Sequence, residues 1–134
     1  MKSIIWFRND LRIDDNPSLR AACDNSDEVH AIFLYSQEQL EHHNEANVKL
    51  DFLIDNLKFL SDSLEGLNIP LSIIDSKGFY EDPEVILKIS QERDVGKVFF
   101  NKQFGEDEQK RDIEVTTILR ASNVEVESFI DPAS

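Results

Sequence analysis

Cysteine occurs once, at Cys23, so no internal disulfide can form, and a reducing compartment suits such a chain. Cys23 follows Ala21 and Ala22 and reads as a small packing residue of a first helix. Glycine is scarce: Gly66, Gly78, Gly96 and Gly105 are the whole set. They are not clustered, which excludes both the G-x-G-x-x-G dinucleotide cradle and the Walker phosphate loop. No serine or cysteine stands in a glycine-flanked elbow and no Cys/His spacing suits a metal, so no catalytic or metal-binding constellation is expected. Long apolar runs are missing too. None approaches the roughly 20 residues that span a bilayer, and the amino terminus has no signal-peptide pattern, so a cytoplasmic protein without membrane contact is expected. Cations are the last shortage: 14 Lys and Arg against 27 Asp and Glu leave a net charge of −13. Phosphate contacts supply most non-specific nucleic-acid affinity, so this chain should not bind DNA directly.

What is present is an alternation of apolar runs with amphipathic stretches. Ser3-Ile4-Ile5-Trp6-Phe7 carries four apolar residues in a row, the pattern of a strand buried on both faces of a parallel sheet. A charged loop follows, with Arg8, Asp10, Arg12, Asp14 and Asp15. Asn16 is a good N-cap and Pro17 suits the first helical position, which predicts a helix over 17–24. A second strand covers 29–35, with His30 as a packed or edge residue, and a polar loop or short turn runs from Ser36 to Asn44.

From Glu45 to Leu67 the periodicity is helical: Leu50, Leu53, Ile54, Leu57, Leu60 and Leu64 form one core-facing stripe, with Gly66 as the stop. A third strand spans 69–75, and Pro70 near its start suits a first-residue or edge position. Asp82 caps a further helix with Pro83 at its first position, turning Val85, Ile86 and Ile89 inward. A fourth strand covers 98–101, then a helix 107–120 with Ile113, Ile118 and Leu119 as inner residues. Residues 124–129 alternate with period two, as a half-buried outer strand does.

Strands alternating with helices define an α/β class with an open parallel sheet. Right-handed crossovers make 3-2-1-4-5 the expected order of the five strands, a Rossmann-like arrangement with helices on both faces and a switch point between the first and fourth strands. Ligands of such sheets sit at the carboxyl ends of the strands. The polar residues falling there are Arg8 and Asp10, His42 and His43, and Asp107 and Glu108. A carboxylate at that rim can accept paired hydrogen bonds from a flat heterocycle such as a pterin. From charge placement alone, service at the positive end of the fourth helix is the better reading of Asp107 and Glu108. Arg8 and Asp10 are expected to pair with each other or with loop backbone.

Trp6-Phe7-Arg8-Asn9-Asp10-Leu11-Arg12, followed by Asp15-Asn16-Pro17-Ser18-Leu19, closely resembles the amino-terminal signature of the DNA photolyase/cryptochrome family. A second stretch, Asn101 to Val115 with its Arg111-Asp112-x-x-Val115 pattern, resembles the family segment after the fourth strand. The resemblance implies an antenna domain over 1–134, with the larger helical FAD-binding domain absent; other members hold a deazaflavin or flavin antenna deeper at the same sheet edge, near the equivalents of Asp10 and Tyr35, and His43 with Glu108 favours the folate type. In that type a glutamate binds the pterin of methenyltetrahydrofolate, and it falls on Glu108. Its neighbour, often asparagine, falls on Asp107, a departure that removes an amide donor. A histidine after the second strand falls on His43, followed by Asn44.

The resemblance further implies a longer parent that repairs pyrimidine dimers by light, as a deoxyribodipyrimidine photolyase does. FAD and the DNA surface would both lie on its carboxyl-terminal domain, this domain's partner. The domain alone should be inactive in repair and monomeric. Three alternatives stay open, one of them a stand-alone interaction module that binds a partner through the sheet's loop edge with no chromophore dependence. A cryptochrome photoreceptor would differ only in the absent part. A receiver-type signalling domain shares the strand order, but Phe7-Arg8 and Phe129-Ile130 occupy the places of its acids and lysine.

Overall fold

The computed structural model describes residues 1–37 and 47–132. His42, His43 and Asn44 lie outside the described residues. Strand β1 (Lys2–Phe7) leads through the charged loop to helix α1 (Pro17–Asn25) and strand β2 (Glu28–Tyr35). Helix α2 (Asn47–Glu65), strand β3 (Leu71–Asp75), a 3-10 turn (Phe79–Glu81), helix α3 (Asp82–Glu92), strand β4 (Lys97–Asn101), helix α4 (Glu106–Ala121) and strand β5 (Glu125–Phe129) follow. All pairings are parallel and the order is β3-β2-β1-β4-β5, as expected. Among the described residues no helix is long and apolar enough to cross a membrane.

β1 is the axis of two cores. Ile5 and Phe7 enter the core under α1 and α2, while Ile4 and Trp6 enter the core under α3 and α4. That is why the strand shows no polar alternation: neither face meets water. Asn16 caps α1, its side chain accepting from the Leu19 N–H, with Pro17 at the first turn.

The helix exits follow one rule, and it is not the expected glycine stop. After α2, α3 and α4 the chain turns through Asn68, Asp94 and Asn123, each at positive φ. In each case two hydrogen bonds close the end: Ile69 N–H to Leu64 O and Asn68 N–H to Glu65 O after α2, with Val95 to Ser90, Asp94 to Gln91, Val124 to Leu119 and Asn123 to Arg120 repeating the pair. This is the Schellman arrangement, in which Asn or Asp tolerates the left-handed geometry that glycine otherwise supplies. The next residue, Ile69, Val95 or Val124, is buried each time, which anchors the turn into the following strand. Gly66 precedes the turn and has no positive φ.

Three further expectations are corrected. Asp82 does not cap α3; it is the helix's first residue, in right-handed geometry, with Glu81 at the cap position. Ile113 is not an inner residue of α4: Asp112, Val115 and Leu119 face inward, Ile118 is half-buried and Ile113 is exposed. The cause is polar: Arg8 draws Asp112 inward and so fixes the helix rotation. Cys23 is exposed rather than packed.

In α2, Leu57, Leu60 and Leu64 are buried, but Leu50 and Ile54 remain exposed. A cavity of about 440 Å³, lined by Phe33, Tyr35, Leu53 and Ile73 among others, lies there between helix and sheet. His30 is half-buried at the start of β2, between Glu28 and Arg93.

Candidate functional site

The carboxyl rim of the sheet carries two sets of polar residues. The inner set is built by the loop after β1. There Asp10 Oδ1 accepts from the Arg8 N–H at 2.8 Å, folding the loop back on itself. Asp10 Oδ2 accepts from Asn101 Nδ2 at 2.6 Å, and that same amide donates to Asn16 Oδ1 at 2.8 Å. Asn101 Oδ1 accepts from the Ser18 N–H, and Asn16 Oδ1 from the Leu19 N–H and the Ser18 hydroxyl. Asp10, Asn16 and Asn101 are all buried. Their hydrogen-bonding groups are engaged by one another, so this knot welds β1, α1 and β4 together at the switch point.

Arginines form the second part of the inner set. The Arg8 guanidinium meets Asp112 through both terminal nitrogens, at 3.3 and 2.5 Å, and stacks 4.2 Å from the Trp6 ring centre and 4.5 Å from that of Phe100. Arg111 stacks over Trp6 and Phe79, donates to Gln103 and Asp112, and stands 3.6 Å from Asp82. Burial lowers the pKa of Arg8 to about 10 against the opposing pull of Asp112, which leaves it charged at neutral pH. Burial likewise lifts the carboxyls of Asp82 and Asp112 above the usual range, opposed by the Ser76 hydroxyl and Arg111 at the first and by the two arginines at the second. Further out, Arg12 grips Asp131 with two nitrogens and holds the exit of β5.

The expected pairing of Arg8 with Asp10 is thus half right. The backbone of Arg8 goes to Asp10, but its side chain goes to Asp112. Asp112, Arg111 and Asp82 are the residues that spacing alone did not bring to this site. Their signal was present as an Arg-Asp pair one turn before Val115, in a helix whose apolar stripe is weak.

The outer set is different. Gly105 is the N-cap of α4 and offers no side chain to the helix end, while Glu106, Asp107 and Glu108 occupy the first turn. Asp107 is exposed; Glu108 is half-buried and folds its carboxylate back over Gly105, where a Cβ would collide with it. Among the described residues Glu108 makes no hydrogen bond and no ion pair, whereas Glu106 has Lys110 at 3.5 Å. A half-buried carboxylate without protein donors, at the positive end of a helix, is chemically suited to accept N–H groups from a flat heterocycle.

Comparison with known proteins gives the family of the chain and relatives of its fold. The profile of the family described as DNA photolyase matches residues 3–132. The chain is 34% identical over 129 residues to the deoxyribodipyrimidine photo-lyase of Escherichia coli (strain K12), covering 96% of this chain and 27% of that protein. It is 31% identical over 127 residues to Cryptochrome-1 of Arabidopsis thaliana, covering 95% and 18%. A solved archaeal photolyase from Sulfolobus tokodaii with two FAD molecules superposes with a TM-score of 0.80 at 22% identity, over 97% of this chain and 29% of that one. The chain therefore spans about a quarter of the length of the photolyases it matches.

Proposed function

We propose, for a chain that belongs to the DNA photolyase family, that it is the antenna domain of a longer light-dependent DNA-repair protein and holds methenyltetrahydrofolate on its carboxyl rim. Glu108 would take the pterin ring, with His43 and Asn44 beside it and Asp107 at the edge. The folate supplies light absorption and excitation transfer; the protein's task is to fix its position. The single observation carrying this reading is the free, half-buried carboxylate of Glu108 over Gly105. The inner residues support it by exclusion. Asp10 and Asn101 are consumed by mutual hydrogen bonds, so a pigment seated there would have to break the knot that joins β1 to β4.

The rest of the proposal is drawn from the resemblance to the family. On this reading FAD and the lesion-binding surface belong to a carboxyl-terminal partner domain, the parent is a cytoplasmic photolyase acting on pyrimidine dimers, and this domain is monomeric. The isolated domain has no repair activity and binds folate weakly, because half the pigment's contacts come from the partner domain. A cryptochrome photoreceptor is the second reading, favoured by the match to Cryptochrome-1.

Equilibrium dialysis of methenyltetrahydrofolate against the chain and its Glu108→Gln and His43→Ala variants tests the site. Saturable binding that weakens in both variants is expected. Binding that is equal in all three would overturn the assignment.

A further inference from the structure

Trp6 is the single tryptophan of the chain and is buried in the core under α3 and α4. Two guanidiniums lie against its ring, with the Arg8 carbon 4.2 Å and the Arg111 carbon 4.8 Å from the ring centre. Among the described residues no other ring is met by two cations. The Arg8 Nε–H is buried and finds no hydrogen-bond acceptor. A guanidinium that needed only a counter-ion could meet Asp112 without stranding a donor, so the stacking on Trp6 calls for a reason of its own.

That reason lies in what the cations do to the indole. In the ground state they are attracted to its electron-rich face. Removal of an electron reverses the sign, because an indole radical cation would face two positive charges at contact distance, in a buried site where screening is weak. Burial leaves Arg8 charged at neutral pH, with a pKa of about 10. Asp112 bonds both guanidiniums and Asp82 stands 3.6 Å from Arg111, which fixes the two cations in place.

The indole is also close to the rim. Arg111 follows Glu108 by three residues in α4, roughly 4.5 Å along the helix axis, and one stacking contact then reaches Trp6. A photoexcited heterocycle is a stronger oxidant than its ground state, and indole is among the most easily oxidised side chains. An electron passing from Trp6 to an excited pigment would leave an indole radical cation and a pigment radical anion, and the excitation would be lost. Both arginines touch the donor and neither pairs with Glu108, so their field falls mainly on the indole and opposes that step.

We propose that Arg8 and Arg111 insulate Trp6 against photo-oxidation, so that a pigment on the rim keeps its excitation, an inference that rests on the reading of the rim as a pigment site. Both are positioning residues: they act on the pigment through the indole.

Two measurements test it. The first is the emission lifetime of methenyltetrahydrofolate bound to the chain. Arg111→Gln should shorten it several-fold, Arg111→Lys should keep it near wild type, and Trp6→Phe added to Arg111→Gln should restore it. Arg111→Leu carries the same expectation as Arg111→Gln, should the latter not fold. An unchanged lifetime in the uncharged variants, or shortening that persists without Trp6, would overturn the inference. The second needs no folate: photoexcited riboflavin in solution is the oxidant, and oxidation of Trp6 is followed by mass spectrometry. The uncharged variants should react several-fold faster than wild type and Arg111→Lys, at equal acrylamide quenching of Trp6 emission. Equal rates, or rates that merely follow acrylamide access, would overturn it. A chain that binds no folate yet shows the rate difference would refute the pigment assignment and leave the insulation of Trp6 standing.

Discussion

The inner and outer parts of the carboxyl rim are made of the same residue types and behave in opposite ways. Inside, Asp10, Asn16 and Asn101 satisfy one another, and Asp112 is clasped by two arginines stacked on Trp6. Outside, Glu108 and Lys102 have no side-chain partner among the described residues. The lesson is that a polar residue at the ligand edge of an α/β sheet is not by that fact a ligand residue. What separates the two kinds is whether the protein already supplies the donors and acceptors.

That comparison can be broken most forcefully at Asp112. Asp112→Ala leaves two buried guanidiniums facing each other, and losing one member of a buried ion pair costs about 3–5 kcal/mol. Urea denaturation should show it as a large fall in midpoint at unchanged slope. Asn101→Ala comes next: it strands Asp10 and the Ser18 N–H, a loss of about 1–3 kcal/mol, read the same way.

A smaller effect concerns pH. The folded-state pKa of Asp82 is raised, mainly by burial. Its contribution to stability is therefore fully present below the unfolded pKa and is lost as pH rises through the folded value. Relative to wild type, Asp82→Asn should accordingly gain in urea midpoint as pH rises above the ordinary carboxylate range of about 4; an identical pH dependence of the two proteins would contradict the burial of that charge. The smallest stability effects belong outside. Glu108→Gln should change stability by less than about 0.5 kcal/mol, as surface changes away from packed features do, while lowering folate binding. Gly105→Ala should act similarly, by pushing the Glu108 carboxylate off its position.

Strand order, element sequence and the doubly buried β1 were legible because they rest on local patterns: an unbroken apolar run, helical stripes and an Asn-Pro cap. The site was legible only in outline. Asn16 announced its capping role, but its Oδ1 also receives Asn101 from across the sheet, and no local pattern encodes that. Ile113 was read as core because it is apolar in a helix; the rotation of α4 is set instead by Arg8 holding Asp112, 104 residues apart. Asp82 looked like a cap and is spent on Arg111. Long-range polar contacts thus decided the details that periodicity left open.

The most direct test is to titrate the isotope-labelled chain with methenyltetrahydrofolate and follow its amide resonances. The account predicts shifts centred on Gly105, Glu108 and His43, with Arg8, Asp10 and Asn101 unmoved. Shifts centred on Asp10 and Tyr35, with the α4 start silent, would contradict it.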